Sequence, residues 1–331
     1  MQTTKNKKIC ILGSGNFGTS LAQHLANLGH KITLWTRSEE ILTSINQKNK
    51  NPKYLSNISL HPNIKASTEL KKSFADIDIL LIALPTQSLR SICPQIKDHL
   101  KPNIQFVCAS KGIELSTHKL PFDIIEETLG SSWKQKAVYL SGPSFAVEVI
   151  NKTPTAVSIA SYDLHSLQQI QQSFHYSRFR VYKNYDPIGL EVAGALKNVV
   201  AIAAGACTGL GFGSNSLAAL ITRGLSEIMR IGVALGAEAK TFLGLGGVGD
   251  LFLTCSSQKS RNFQVGYNLA QGESLEIIQK KLGSTAEGVA TTKAARDICI
   301  KLNIRHAVIK SVYSVLYENC PIAGIANPMF K

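Results

Sequence analysis

The sequence predicts an α/β fold in which a mainly parallel sheet is followed by an all-α C-terminal domain. Three observations carry that expectation. Short apolar runs alternate with amphipathic stretches through residue 183, and strand signals become few beyond it. A glycine-rich turn, Gly13-Ser14-Gly15-Asn16-Phe17-Gly18, joins the first apolar run to the first amphipathic one. Strand–helix alternation of this kind builds parallel sheets with helices on their faces. A chain of 331 residues also has the length of roughly two domains. The division falls between residues 1–183 and 184–331.

Strands are expected at Ile9–Leu12, Lys31–Trp35, Ile77–Leu84, Ile104–Ala109, Ala137–Leu140, Ala156–Ala160 and Phe179–Tyr182. In the first connection Gly13 permits a tight turn, Gly15 lets a pyrophosphate approach the backbone, and Gly18 allows close helix–strand packing. The helix that follows has the apolar face Leu21, Ala22, Leu25 and Leu28, and Gly29 ends it. Phosphates would meet free N–H groups at its positive end. The N-terminal half therefore reads as a Rossmann-like dinucleotide-binding domain. After the second strand, an NAD-selective site places an acid on the ribose hydroxyls, whereas an arginine accommodates a 2′-phosphate. This chain has Leu34-Trp35-Thr36-Arg37-Ser38, with acids only at Glu39 and Glu40. Arg37 thus favours NADPH, or the use of both NADPH and NADH.

Ligands gather at the carboxyl ends of parallel strands. Three further segments point there: Leu84-Pro85-Thr86, Ala109-Ser110-Lys111-Gly112 and Leu140-Ser141-Gly142-Pro143-Ser144-Phe145-Ala146. Lys111 could reach a substrate phosphate or the nicotinamide, though its residues alone fit a plain loop lysine. In the second half, Ile188–Leu210 is nearly all small and apolar, with Glu191 and Lys197 its only charges. Such a helix lies buried at a domain centre. A buried ammonium is costly and its pKa falls toward the range useful for acid/base work. Asn198 and Asp250 are the partners such a lysine needs. Asp250 follows the bend Gly246-Gly247-Val248-Gly249, with Thr254 and then Ser260-Arg261-Asn262 beyond. Arg261 can fork onto a phosphate; the same segment also fits an ordinary glycine-rich loop leading into a helix capped by Ser260.

The composition, 44% hydrophobic and 18% charged, is that of a globular protein. No apolar run is expected to approach the roughly 20 residues that span a bilayer. The net charge of +14 is dispersed, without an aromatic-interleaved basic run. It suits anionic small molecules, or simple solubility, and no nucleic-acid partner is expected. The seven cysteines are scattered with no C-x-x-C pair. They read as small core residues of a metal-free cytoplasmic protein in a reducing compartment.

Together these segments resemble the NAD(P)-dependent glycerol-3-phosphate dehydrogenases over nearly the whole chain. The matching motifs are Gly13–Gly18, Ser110-Lys111-Gly112, Ser141–Ala146, Glu191–Asn198, Gly249-Asp250-Leu251 with Thr254, Ser260-Arg261-Asn262 and Glu287-Gly288. The resemblance implies that Lys197 is the proton donor and acceptor, assisted by Asp250 and Thr254. It implies substrate contacts from Lys111, Gly142, Ser144, Lys197, Asp250, Ser260, Arg261 and Asn262. It implies cofactor contacts from Gly13, Gly15, Asn16, Phe17, Gly18, Arg37, Lys111, Ala146, Arg261, Thr285 and Glu287. Phe17 stands where the family often has Trp or Tyr, and Ala286 where it has Val; both departures touch packing. The implied reaction is reversible hydride transfer between NAD(P)H and C2 of dihydroxyacetone phosphate, giving sn-glycerol 3-phosphate for glycerophospholipid synthesis. The partner is a small phosphorylated substrate, with no metal, and homodimeric assembly is left open. A related β-hydroxyacid dehydrogenase is the rival enzyme, and a nucleic-acid binder acting through the +14 charge is the rival outside enzymes.

Overall fold

The computed structural model describes residues 6–283 and 286–326. Its sheet has eight strands: β1 (Lys8–Leu12), β2 (Lys31–Trp35), β3 (Ile64–Ser67), β4 (Ile79–Ile82), β5 (Gln105–Cys108), β6 (Val138–Ser141), β7 (Thr155–Ala160) and β8 (Phe179–Asn184). Their order is β3-β2-β1-β4-β5-β6-β7-β8. Every pairing is parallel except β6–β7. The expected α/β architecture is therefore the observed one. The edge strand β3 lies outside the expected set. It has four residues, only Ile64 and Ala66 of which are buried, so its pattern cannot be told from a loop until it docks on β2. Ile77–Leu84 and Ile104–Ala109 were also too long as strands. The strands run only Ile79–Ile82 and Gln105–Cys108, and the residues that follow them turn into the loops of the carboxyl edge.

Alternation along the strands divides the apolar side chains between the two faces of the sheet. Ile9, Ile11, Ile79, Leu81 and Val107 pack under Leu21 and Leu25 on one face. Cys10, Leu12, Leu80, Ile82, Phe106 and Cys108 belong to a second core that runs on into the C-terminal helices. Both faces being covered explains the near-continuous apolar runs of the central strands.

The turn after β1 requires its glycines. Gly13 has φ +117°, and a Cβ on Gly18 would lie 1.9 Å from the Gly13 carbonyl oxygen. The helix Asn16–Asn27 follows, and Gly29 closes it at φ +94°.

Beyond β8, Pro187 begins the helix Pro187–Gly209, whose N-terminus is capped by Asp186 accepting the Gly189 N–H at 2.8 Å. Its residues from Gly189 to Cys207 are all buried, among the helices Ser214–Ala234, Asp250–Cys255, Arg261–Ala270 and Glu287–Lys301. By length and composition alone this 23-residue helix could cross a membrane, which corrects the expectation that no run has that length. Its apolar window is wholly buried inside the protein, so the hydrophobicity serves a core.

Candidate active site

A crevice of about 830 Å³ runs from the carboxyl ends of the strands to the helical half. That is the size of a site for a cofactor and a small ligand. At its first end lie Gly13, Gly15, Asn16 and Phe17. Gly15 stands at the N-cap without a side-chain acceptor, so the first N–H groups of the helix Asn16–Asn27 have no cap of their own. A Cβ on Gly15 would meet nothing within 4 Å. Free amides facing open space fit a dinucleotide pyrophosphate. Gly18 does not line the crevice; its part is the close packing on Gly13. Arg37 is exposed at the rim beside buried Thr36, whose hydroxyl accepts from Ser14 Oγ at 2.9 Å.

The rim is completed by a residue that sequence reasoning missed. Asn51 is fully buried, and its Nδ2 donates to the Ser14 carbonyl and to Thr19 Oγ1, both at 2.9 Å. Its Oδ1 accepts from Lys53 N at 3.2 Å and Tyr54 N at 3.1 Å. One amide, using its full donor and acceptor capacity, thereby pins Lys53-Tyr54-Leu55 beside the phosphate turn as a wall of the crevice.

The far end is built from the helix Pro187–Gly209 and the bend before Asp250. The backbone of that bend crosses Phe242 so closely that a Cβ on Gly247 would sit 2.1 Å from the Phe242 carbonyl oxygen. Asp250 is thus set opposite Lys197. Lys197 Nζ lies 2.9 Å from Asp250 Oδ1 and donates to Thr254 Oγ1 at 2.8 Å. Thr254, one helical turn after Asp250, donates to the Asp250 carbonyl at 2.6 Å. The other carboxylate oxygen, Oδ2, accepts from Lys111 Nζ at 2.9 Å and from Ser141 Oγ at 3.5 Å. One buried carboxylate therefore holds two ammonium groups. Burial pushes the Lys197 pKa down, and the attraction of Asp250 restores only part of it. Burial pushes Asp250 up, but the two lysines outweigh it and its pKa lies below the usual carboxylate value. Lys111 also lies 5.8 Å from the Phe17 ring centroid, linking the two ends of the crevice.

A third wall carries the remaining residues. Ser260 caps the helix Arg261–Ala270 by accepting the Phe263 N–H at 3.2 Å. Asn262 Oδ1 accepts the Gly288 N–H at 2.9 Å, tying that helix to the start of the helix Glu287–Lys301. Burial lowers the Arg261 pKa against the pull of Glu287. Burial raises Glu287 to about 7, with Arg261 opposing it. Opposite, Ser144 Oγ donates to the Gly142 carbonyl at 2.9 Å, and Ala146 begins a short helix on the crevice wall. Lys259 and Glu148 join the two walls through an ion pair of 2.6 Å.

The structure thus brings Gly13, Gly15, Asn16, Phe17, Arg37, Lys111, Gly142, Ser144, Ala146, Lys197, Asp250, Thr254, Ser260, Arg261, Asn262 and Glu287 to one crevice. Thr285 lies outside the described residues. Asn198, Lys53, Tyr54 and Lys259 line the same space. Among the described residues, no three His, Cys, Asp or Glu side chains converge as a metal site.

A parallel sheet offering a bare helix N-terminus to a crevice, whose far wall pairs buried lysines with an aspartate, defines a dinucleotide-dependent oxidoreductase. Comparison with known proteins narrows the class. The family model for the N-terminus of NAD-dependent glycerol-3-phosphate dehydrogenase matches residues 8–167, and that for its C-terminus matches residues 186–327. The chain belongs to this family. It is 46% identical to the glycerol-3-phosphate dehydrogenase [NAD(P)+] of Leptospira biflexa over 94% of each chain. It is 42% identical to that of Enterococcus faecalis over 95% of this chain and 92% of the relative. The crystal structure of glycerol-3-phosphate dehydrogenase from Coxiella burnetii superposes with a TM-score of 0.93 at 33% identity, over 98% of this chain and 99% of that one.

Proposed function

We propose that the protein reduces dihydroxyacetone phosphate at C2 to sn-glycerol 3-phosphate, reversibly, with Lys197 as the proton donor, in supply of glycerophospholipid synthesis. The observation that carries this reading is the Lys197–Asp250–Lys111 array beside the cap of the Arg261 helix. NAD(P)H bound along the glycine-rich turn supplies the hydride. Protonated Lys197 stabilises the developing alkoxide and gives it a proton; in the reverse direction the neutral amine accepts it. Asp250 keeps Lys197 charged and aimed, and Thr254 fixes the direction of its Nζ. Lys111 adds positive charge on the substrate side. Arg261 and Asn262, with the helix N-terminus they begin, grip the phosphate, so remote binding energy orients the reacting carbonyl. Gly142, Ser144 and Ser260 shape the pocket around the substrate. Ala146 and Glu287 adjoin the cofactor, and Arg37 at the rim favours NADPH or dual use.

The same reading takes residues 1–183 as the cofactor domain and 184–331 as the substrate domain. It places the protein in the cytoplasm, in keeping with six buried free cysteines, and takes it as a homodimer, which light scattering tests. The activity is tested by oxidation of NADPH and NADH with dihydroxyacetone phosphate, beside unphosphorylated dihydroxyacetone. Lys197→Ala is expected to lower kcat roughly 100-fold or more, the scale of general acid–base catalysis, with cofactor binding retained. A folded variant with near-normal turnover would overturn the assignment, and preference for the unphosphorylated substrate would overturn the substrate.

A further inference from the structure

Glu191 is the second charged residue of the central helix, and the proton-transfer array does not use it. It lies almost two turns before Lys197 and is buried. One carboxyl oxygen, Oε2, accepts the Phe122 N–H at 3.0 Å. The other, Oε1, is buried without a protein partner, and so is the hydroxyl of Tyr139 on β6. Two orphaned buried oxygens in one region are unusual, because such groups are normally satisfied by protein or by ordered water. Glu191 and Tyr139 both line a small cavity behind the active site, whose other walls include Ser141, Lys111 and Gly194. The cavity has room for about one water. Gly194 keeps this space open: a Cβ there would lie 2.7 Å from Ser141 Oγ and 3.7 Å from Lys111 Cδ.

Ser141 is the link to the chemistry, since its hydroxyl donates to Asp250 Oδ2. We propose that Glu191 is a positioning residue: as a neutral carboxylic acid it joins Tyr139 in holding one buried water against Ser141, behind Asp250. The hydrogens then run in one direction. Glu191 O–H and Tyr139 O–H donate to the water, the water donates to Ser141 Oγ, and Ser141 O–H donates to Asp250. Three polar partners are what a buried water needs. An ionised Glu191 would have no proton to give and would set a second negative charge behind Asp250. Burial holds its pKa well above the usual carboxylate value, with nearby Asp123 adding to the rise. The relay fixes the rotamer of Ser141 and so the carboxylate that spaces Lys111 from Lys197. This inference rests on the reading of Lys197 and Asp250 as the proton-transfer pair.

Five variants test it: Tyr139→Phe, Ser141→Ala, Glu191→Gln, Glu191→Met and Tyr139→Phe combined with Ser141→Ala. Tyr139→Phe and Glu191→Met are expected to lower kcat about two- to tenfold, the scale of one neutral hydrogen bond. KM for cofactor should hold. Glu191→Gln keeps an acceptor for Phe122 and a donor for the water, so it should stay within about twofold of wild type. In the Ser141→Ala background Tyr139→Phe should have no further effect, because both act through one chain. Additive losses, a kcat unmoved by Tyr139→Phe, or Glu191→Gln failing as badly as Glu191→Met would each overturn the proposal. Should Glu191→Met not fold, the Tyr139 and Ser141 cycle alone decides. Lys197→Ala assayed alongside separates the two readings. If it keeps kcat, the proton-transfer assignment has failed. If it alone loses kcat, only the relay has failed.

Discussion

Replacing Asp250 by asparagine probes the centre of the site with almost no change of shape. The carboxylate sits 2.9 Å from Lys197 Nζ and 2.9 Å from Lys111 Nζ. At an effective dielectric constant near 20, each pair is attracted by about 6 kcal/mol before desolvation is counted. Most of that is offset by the cost of taking three charges out of water. Removing one partner of a buried pair nonetheless leaves about 3–5 kcal/mol uncompensated. Part of that strain is relieved by Lys197 losing its proton. Burial already lowers its pKa and Asp250 is the main group that raises it, so the variant moves it further down. A lysine is charged below its pKa, so the form that donates in reduction is lost as pH rises through that lower value. The expected outcome is a drop in kcat for reduction of about 100-fold or more at neutral pH. The deficit should narrow as pH falls, and the reverse reaction, which needs the neutral amine, should suffer less. Initial rates of NADPH oxidation and NADP⁺ reduction across pH, with cofactor affinity measured by fluorescence, read this directly. An unchanged pH profile for reduction, or equal losses in both directions, would refute the role given to Asp250.

Three further substitutions separate the walls of the crevice. Arg261→Ala should reduce kcat/KM for dihydroxyacetone phosphate by about 2–3 kcal/mol, the value of a charged hydrogen bond, while unphosphorylated dihydroxyacetone barely responds; equal losses on both substrates would remove Arg261 as the phosphate anchor. Arg37→Asp should raise KM for NADPH far more than for NADH, because a 2′-phosphate then meets a repelling charge, and equal shifts would show that Arg37 does not read that phosphate. Glu287 titrates near 7 in the fold against 4.5 unfolded, through burial opposed by Arg261. An acid raised in this way stabilises fully below the unfolded value and loses that contribution as pH rises through the folded one. Melting temperature of the ligand-free protein should therefore fall between about pH 4.5 and pH 7, and Glu287→Gln should flatten that slope; a slope unaltered in the variant would contradict the shift.

How much of this was legible in the chain depended on whether a residue breaks a local rule. Lys197 stands out because an ammonium in an apolar helix is expensive unless it is paired. The glycines of the first turn stand out because their spacing has a backbone reason. Both signals are local, and both residues line the crevice where expected. Lys111 breaks no rule in its own segment and fitted a plain loop lysine; only folding places it on Asp250. Asn51 is quieter still. Beside Lys50 and Pro52 it reads as an ordinary turn residue, yet its partners Ser14 and Thr19 are more than thirty positions away. The strand β3 was missed for the same cause: four residues acquire their meaning from pairing with β2. Glu191 falls between these cases. Its charge in the apolar helix is as conspicuous as that of Lys197, but its partner is the Phe122 N–H in the helix Pro121–Leu129 and its cavity neighbour Tyr139 is on β6, and no spacing in the sequence brings them together. Unusual residues announce that something must satisfy them, whereas the groups that do so are mostly commonplace, such as serine, asparagine, tyrosine and backbone amides. For that reason Lys197 was readable from the chain, whereas the pairing of Lys111 with Asp250 and the parts played by Asn51 and Tyr139 became visible only once the sheet had assembled.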